Sequence, residues 1–497
     1  MAMPYTSANP IVSTSLGDVR GLRDGSVRHF VGIPYAAPPV GERRFAAPAR
    51  PPAWQGVREA TSPGATAPQR LRAVPGLAIE PLVGTGWTPG DDYLTLDIWT
   101  PEEADGLPVM VFIHGGGFVI GSKDAAVQDG ATFARDGVVC VSINYRLGVD
   151  GFLPIPGVPT NLGLRDMIAA LGWVHDEIAR FGGDPANVTV FGESAGAMAI
   201  ADLIASPLAA GLFGRAIIQS GHAAMTREVG VARRLVDKMA ELLKVAPTRD
   251  GFASVETEAL LDAVEKVSLP TTRIDLRGPD GREPVFGISR FVPVHGDEVL
   301  PLQPLEALKA GAGRDVQILI GTNAEEMNLY LVPSGVRDKI GRLLSWIVLR
   351  KSQPRAWAVL KAYGAGRKKG GRALADALTD LVFRWPARRF AEEHRGRTHM
   401  YELEWRSTAF GGELGAAHAV ENPFVFDTLS AASGPEGVLG ENPPQALATR
   451  IHRLWIDFAR DGSLPWAPFD RETRQVYRLE AGEAIHEPVM PAARFLP

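Results

Sequence analysis

The chain has 497 residues, with 52 Lys and Arg against 57 Asp and Glu and a formal net charge of −5. A balance this close to neutral supplies no global field to draw the protein to nucleic acid or to an anionic membrane. A single cysteine, Cys140, excludes an internal disulfide, and 54 glycines with 39 prolines make the chain rich in turns and long loops.

The start, Met1 to Ser7, has neither the basic nor the apolar region of a secretory signal, and no charge-free apolar stretch reaches the ~18 residues of a membrane span. A cytoplasmic protein without a membrane partner is expected. Over the first hundred residues short apolar runs alternate with Pro and Gly, as in Phe30 to Pro39 and Asp91 to Pro101, which predicts antiparallel edge strands and loops. The pattern then changes. Val109 to His114 is a continuous apolar run ending in Gly115-Gly116-Gly117-Phe118, and Val138 to Tyr145, which contains Cys140 as a small core residue, is another. Leu164, Ile168, Leu171, Val174, Ile178 and Phe181 recur at helical spacing.

Val188 to Phe191 predicts a buried strand and Ala195 to Ile204 a helix, and between them stands Gly192-Glu193-Ser194-Ala195-Gly196. The bare G-x-S-x-G pattern is weak, because it recurs by chance in glycine-rich chains. The strand before it and the helix after it supply the context it needs. A turn that tight admits only small neighbours, pushes the Ser194 hydroxyl out of the sheet and leaves the Ala195 N–H free at a helix start.

Further strands are predicted at Ala216–Gln219, Ile318–Ile320 and Met400–Trp405. Strands buried on both faces and separated by helices argue for an α/β fold with a doubly wound, mostly parallel sheet. Residues 225 to 310 and 328 to 395 mix helical periodicity with many charges and predict helical insertions over the carboxyl edge of that sheet. The basic run Arg367 to Arg372 is most simply a solvated loop between helices. No linker divides the chain, so residues 1–497 are expected to form one elaborated domain.

A serine hydroxyl is a poor nucleophile until a base takes its proton and a third group orients that base. Of ten histidines, His418 stands out, in a loop of small residues after a strand. The acid should fall between nucleophile and base in chain order, where Glu325 and Glu326 follow the strand Ile318–Ile320. Either could equally be an ordinary loop charge. The turn after His114 can direct unhindered N–H groups at a carbonyl oxygen, and no phosphate-loop pattern follows it.

These residues together resemble the type-B carboxylesterases, the esterase/lipase family that also contains the cholinesterases. The matching residues run nearly end to end: Gly32 to Ala36 with Pro38-Pro39 and Arg44-Phe45, Asp92 with Leu94, Leu96 and Trp99, His114 to Phe118, Asn144 to Gly148, Asn161 to Asp166, Phe181 to Gly196, Gln219 to Gly221, Gly321 to Glu326 and His418 to Phe426. The resemblance implies an α/β-hydrolase fold with helical insertions over the active site. It makes Ser194 the nucleophile, His418 the base, Glu326 the orienting acid, and the N–H groups of Gly116, Gly117 and Ala195 the oxyanion hole, with Glu193 and Ser220 as supporting residues. It further implies a small-molecule carboxylic ester as substrate, hydrolysed through an acyl-enzyme without metal or organic cofactor, by a monomer or small homo-oligomer. The same machinery acting on carbamates, amides or lipid esters, and a non-catalytic binding role, are the alternatives.

Three departures from the family pattern stand out. Ala67 and Tyr93 replace the cysteines that clasp an early loop in many relatives, so that loop is held by packing alone or is mobile. Met327 replaces the glycine that usually follows the acid, and would be strained if the position needs φ > 0. Trp87, in a short loop, is not equated with the cation-binding aromatic of cholinesterases.

Overall fold

The computed structural model describes residues 9–269, 271–283 and 289–496. The reading of Met1 to Ser7 lies outside them. The apolar runs without alternation become interior strands of a sheet that has eleven strands among the described residues. In chain order they are β1 (Leu22–Asp24), β2 (Val27–Pro34), β3 (Thr95–Pro101), β4 (Leu107–Ile113), β5 (Val139–Ile143), β6 (Gly183–Glu193), β7 (Arg215–Gln219), β8 (Gln317–Asn323), β9 (Thr398–Leu403), β10 (Gln475–Arg478) and β11 (Glu483–His486). Their spatial order is β11-β10-β9-β8-β7-β6-β4-β5-β3-β2-β1. Pairing is parallel from β10 across to β5 and antiparallel at both ends.

Burial on both faces explains the missing alternation. Val109, Val111 and Ile113 of β4 enter one core, and Met110 and Phe112 enter the other. The first core is closed by α1 (Leu162–Glu177) and α2 (Ala195–Ala205). Each fully buried side chain of this kind contributes roughly 1.5–3 kcal/mol of transfer free energy. The two stretches predicted as insertions carry α3 (Val229–Leu243), α4 (Thr257–Ser268), α5 (Asn328–Leu331), α6 (Arg342–Arg350), α7 (Ala356–Ala362), α8 (Gly370–Leu378) and α9 (Trp385–Glu393). The second core is covered by α10 (Gln445–Asp461), whose Trp455 is fully buried and donates from Nε1 to Gln219 Oε1 at 3.1 Å.

Several details differ from the sequence expectation. β3 is not an edge strand, because the β1–β2 hairpin covers its outer side and leaves Leu96 and Ile98 wholly buried. α9 is not an insertion over the carboxyl edge, since it packs on β8 and β9 through Ala387 and Phe390. Within the basic run, Arg367 to Lys369 are exposed loop, but Gly370 to Arg372 form the first turn of α8. The early loop is held by more than packing. Thr66, next to Ala67, donates from Oγ1 to Gly86 O at 2.9 Å, while Oγ1 accepts from Thr88 N at 2.8 Å and Thr66 N donates to Thr88 O at 3.1 Å.

A buried ion pair fixes the connection after β5. Arg146 donates to Asp166 from its backbone N–H at 3.0 Å, from Nε at 2.8 Å and from Nη2 at 2.6 Å, with both side chains excluded from water. Stripping one partner from such a pair costs about 3–5 kcal/mol, because the other charge stays buried alone.

Candidate active site

The site is built on the turn between β6 and α2. Ser194 adopts φ 56° and ψ −122°, a region that L-residues rarely occupy and that costs of order 1–3 kcal/mol. Packing against the end of β4 enforces the turn. A Cβ on Gly192 would lie 2.5 Å from the Ile113 carbonyl oxygen and one on Gly196 2.0 Å from it, so only hydrogen fits at either position. The Ser194 N–H donates to Gln219 O at 2.9 Å, which ties the turn to β7.

His418 reaches Ser194 from the loop after β9. Its Nε2 is 2.8 Å from Ser194 Oγ, and its Nδ1 is 2.7 Å from Glu326 Oε2. A carboxylate can only accept, so Nδ1 carries a proton and, when the ring is neutral, the Nε2 lone pair faces the serine hydroxyl. Glu326 is wholly buried, and its other oxygen accepts from Ser220 Oγ and from Asn323 N, both at 2.7 Å. Three groups thus hold one carboxylate in place.

Glu325 points elsewhere. It pairs with Arg406 and accepts from Ala416 N at 3.0 Å. Met327 carries no strain: it sits at φ −72° and ψ −7°, donates its N–H to Thr379 Oγ1 at 3.1 Å and buries its side chain in the core. The backbone after the acid turns directly into α5, and a helical entry needs no glycine.

Two further carboxylates surround the imidazole. Glu193 Oε1 lies 3.0 Å from His418 Nε2 without the alignment of a hydrogen bond. Glu421 accepts from Tyr401 Oη at 3.1 Å and from Gln219 Nε2 at 3.4 Å. Burial alone would push the His418 imidazolium down, but the Glu193 charge, then the hydrogen bond to Glu326 and its charge, outweigh it and lift the group to about 9. Burial pushes the Glu193 carboxyl up to about 7 against the pull of His418. Burial, then the charges of Glu326 and Glu193, pushes Glu421 up to about 8.

The glycine turn faces the serine from the end of β4. Gly116 and Gly117 have φ of 100° and 63°, and a Cβ on Gly116 would lie 2.1 Å from Ile120 O. Gly116 O accepts from Val119 N and Ile120 N, which closes the turn on itself. Among the described residues the Gly116 and Gly117 N–H groups have no backbone acceptor, and the Ala195 N–H opens its helix, where no preceding turn supplies one. The turn is clamped from outside. Ser289 Oγ donates to Gly117 O at 2.7 Å, and Gln69 exchanges two bonds with Gly121, of 2.7 and 2.9 Å.

Above Ser194 opens a cavity of about 820 Å³, lined largely by apolar side chains such as Met198, Met225, Leu261, Leu329 and Phe383. Sequence reading missed Phe383 and Tyr330, whose rings lie 4.6 and 5.6 Å from the His418 ring, and it missed Gln69 and Glu421. Gln69 and Phe383 reach the site from segments remote in sequence, and Tyr330 and Glu421, though they follow Glu326 and His418 closely, belong to no pattern of residue types that marks them. Among the described residues no group of three His, Cys, Asp or Glu is arranged to hold a metal ion.

A family model described as the carboxylesterase family matches residues 8–490. The chain belongs to the carboxylesterase family. It is 33% identical over 496 residues to the para-nitrobenzyl esterase of Bacillus subtilis (strain 168), covering 95% of each chain, and 34% identical over 473 residues to the phenmedipham hydrolase of Pseudarthrobacter oxydans, covering 91% and 90%. Among solved structures, a PNB esterase superimposes with a TM-score of 0.84 at 32% identity, over 99% of this chain and all of the other. The Geobacillus stearothermophilus carboxylesterase EST55 does so with 0.81 at 33% identity, over 96% and 98%. The enzyme is therefore an α/β-hydrolase that cleaves carboxylic esters by serine chemistry. No helix among its described residues is long and apolar enough to cross a membrane.

Proposed function

We propose that Ser194, His418 and Glu326 form the catalytic triad of this carboxylesterase, with Gly116, Gly117 and Ala195 as its oxyanion hole. The observation that carries the assignment is the continuous pair of short contacts, 2.8 Å from Ser194 Oγ to His418 Nε2 and 2.7 Å from Nδ1 to Glu326. His418 takes the hydroxyl proton as Oγ bonds to the ester carbonyl carbon, and the three N–H groups receive the charge on the carbonyl oxygen. The C–O bond to the alcohol then breaks as Nε2 returns the proton to the leaving oxygen. In the second half, His418 deprotonates water, hydroxide adds to the acyl carbon, and Oγ leaves with the proton. Glu326 holds the tautomer and stabilises the imidazolium at each step, and Ser220 holds Glu326.

The reading extends to the whole molecule. Residues 1–497 act as a single elaborated domain, in the cytoplasm, as a monomer or small homo-oligomer, with neither a cofactor nor a nucleic-acid partner. The apolar cavity suits uncharged esters with hydrophobic acyl or alcohol groups. A fluorophosphonate that mimics the tetrahedral intermediate should add to one residue, and peptide mapping by mass spectrometry should find it on Ser194. Label on any other serine would overturn the assignment.

The role of Glu193 is to set the working pH. His418 acts as base only when neutral, and a group lifted above the ordinary imidazole value of about 6.5 loses its neutral form as pH falls through the raised value. The acid limb of kcat/KM should therefore lie above pH 6.5. Glu193→Gln removes the strongest lifting charge, so the limb should move to lower pH. A limb that stays put, or moves up, would show that Glu193 does not act on His418.

A further inference from the structure

The balanced net charge conceals a sharp local imbalance. From Val336 to Arg372 the chain carries eleven Lys and Arg and a single acidic residue, Asp338, while the remainder holds 41 basic against 56 acidic residues. Arg337 and Arg372 pair with Asp338 and Glu413, and Lys368 pairs with Asp376. Lys339, Arg342, Arg350, Lys361, Arg367 and Lys369 are exposed.

The same segment turns an apolar face to solvent. α6 buries only Ser345 and Leu349, and leaves Leu343 70%, Leu344 47%, Ile347 43% and Val348 41% exposed. Positions 343, 344, 347 and 348 form one stripe along a helix, and Arg342 and Arg350 stand at its two ends. Beside it, Trp346 lies under the Arg350 guanidinium at 5.0 Å, and on α7 the half-exposed Trp357 lies under Lys361 at 5.7 Å. Apolar stripe, basic flanks and tryptophans capped by cations are the composition of a helix that lies in a lipid interface.

We propose that α6 and α7 dock the enzyme on an anionic lipid surface, with the α6 stripe entering the headgroup boundary and the surrounding basic residues facing lipid phosphates. This departs from the expectation of a protein without a membrane partner, which rested on the summed charge and on the lack of a signal or an apolar span. Charge complementarity selects the occupant. A second copy of the chain paired through this face would set two strongly basic surfaces together, whereas an anionic bilayer meets both the charge and the apolar stripe. The placement serves the known reaction, because Tyr330, Pro333 and Ser334 line the cavity wall and the chain runs from them into α6.

The test is binding, measured without turnover, so its outcome is separate from the triad assignment. The full chain is sedimented with vesicles of phosphatidylglycerol and phosphatidylcholine, and with pure phosphatidylcholine. Partition should favour the anionic vesicles by at least about tenfold and collapse near 1 M salt, where the screening length is about 3 Å. Arg342→Glu with Arg350→Glu, and separately Leu343→Gln with Leu344→Gln, should each lower it at least about tenfold, with p-nitrophenyl acetate turnover and melting temperature held. Equal binding to both vesicle types, no binding, or binding indifferent to salt would overturn the proposal on the wild-type protein alone. A wild-type dimer that the leucine variant converts to monomer would assign the stripe to a second copy instead.

Discussion

Ser194→Ala should fold as the wild type does and lose roughly a millionfold in kcat, the scale seen when one member of a triad that acts as a unit is removed. Folding should survive because the elbow is enforced by Gly192 and Gly196 against Ile113, and alanine at φ 56° meets the same backbone cost as serine. Oγ is not part of that clamp. Its removal deletes the atom that forms the acyl bond and leaves the amide groups of Gly116, Gly117 and Ala195 in place. Turnover of a p-nitrophenyl ester, with melting temperature as the folding control, decides the matter. A well-folded variant with activity near wild type would end the nucleophile assignment.

The neighbouring carboxylates Glu325 and Glu326 should behave in opposite ways. Glu326→Gln breaks the contact to His418 Nδ1 and offers the imidazole an amide that can donate as well as accept, which frees the ring to take the wrong tautomer. A rate loss of about 10⁴ is the scale for that failure, and a fall of at least about a hundredfold in kcat/KM is expected. Glu325→Gln weakens a half-exposed ion pair with Arg406, worth about 0–1 kcal/mol, and touches no reacting group. Its effect should stay under about tenfold, or ~1.4 kcal/mol. If the two variants exchanged behaviour, Glu325 would be the orienting acid. If neither lost activity, the triad would have to be abandoned.

Local physics made much of this protein legible in its sequence. A strand buried on both faces has no choice but to be continuously apolar, so Val109 to His114 announces β4 and the sheet around it. A turn where an added Cβ would lie 2.5 Å or less from a carbonyl oxygen accepts only glycine, so the pattern around Ser194 marks the elbow. The basic insertion was also written plainly, although the total of −5 hides it and only the exposed stripe on α6 gives it a direction.

What the chain could not reveal depends on contacts between distant segments. The backbone at Met327 follows from entry into α5 and a bond to Thr379, and the clasp of the early loop follows from where Gly86 and Thr88 return to Thr66. The three triad side chains meet across separations of 92 and 224 residues, because β6, β7, β8 and β9 stand side by side in parallel and the segments that follow them leave at one edge of the sheet. The position of Glu193 against His418, and with it the raised imidazole, belongs to the same category. Charge coupling across 3.0 Å is set by the folded geometry, and no local pattern of residue types encodes a distance between atoms that far apart in the chain.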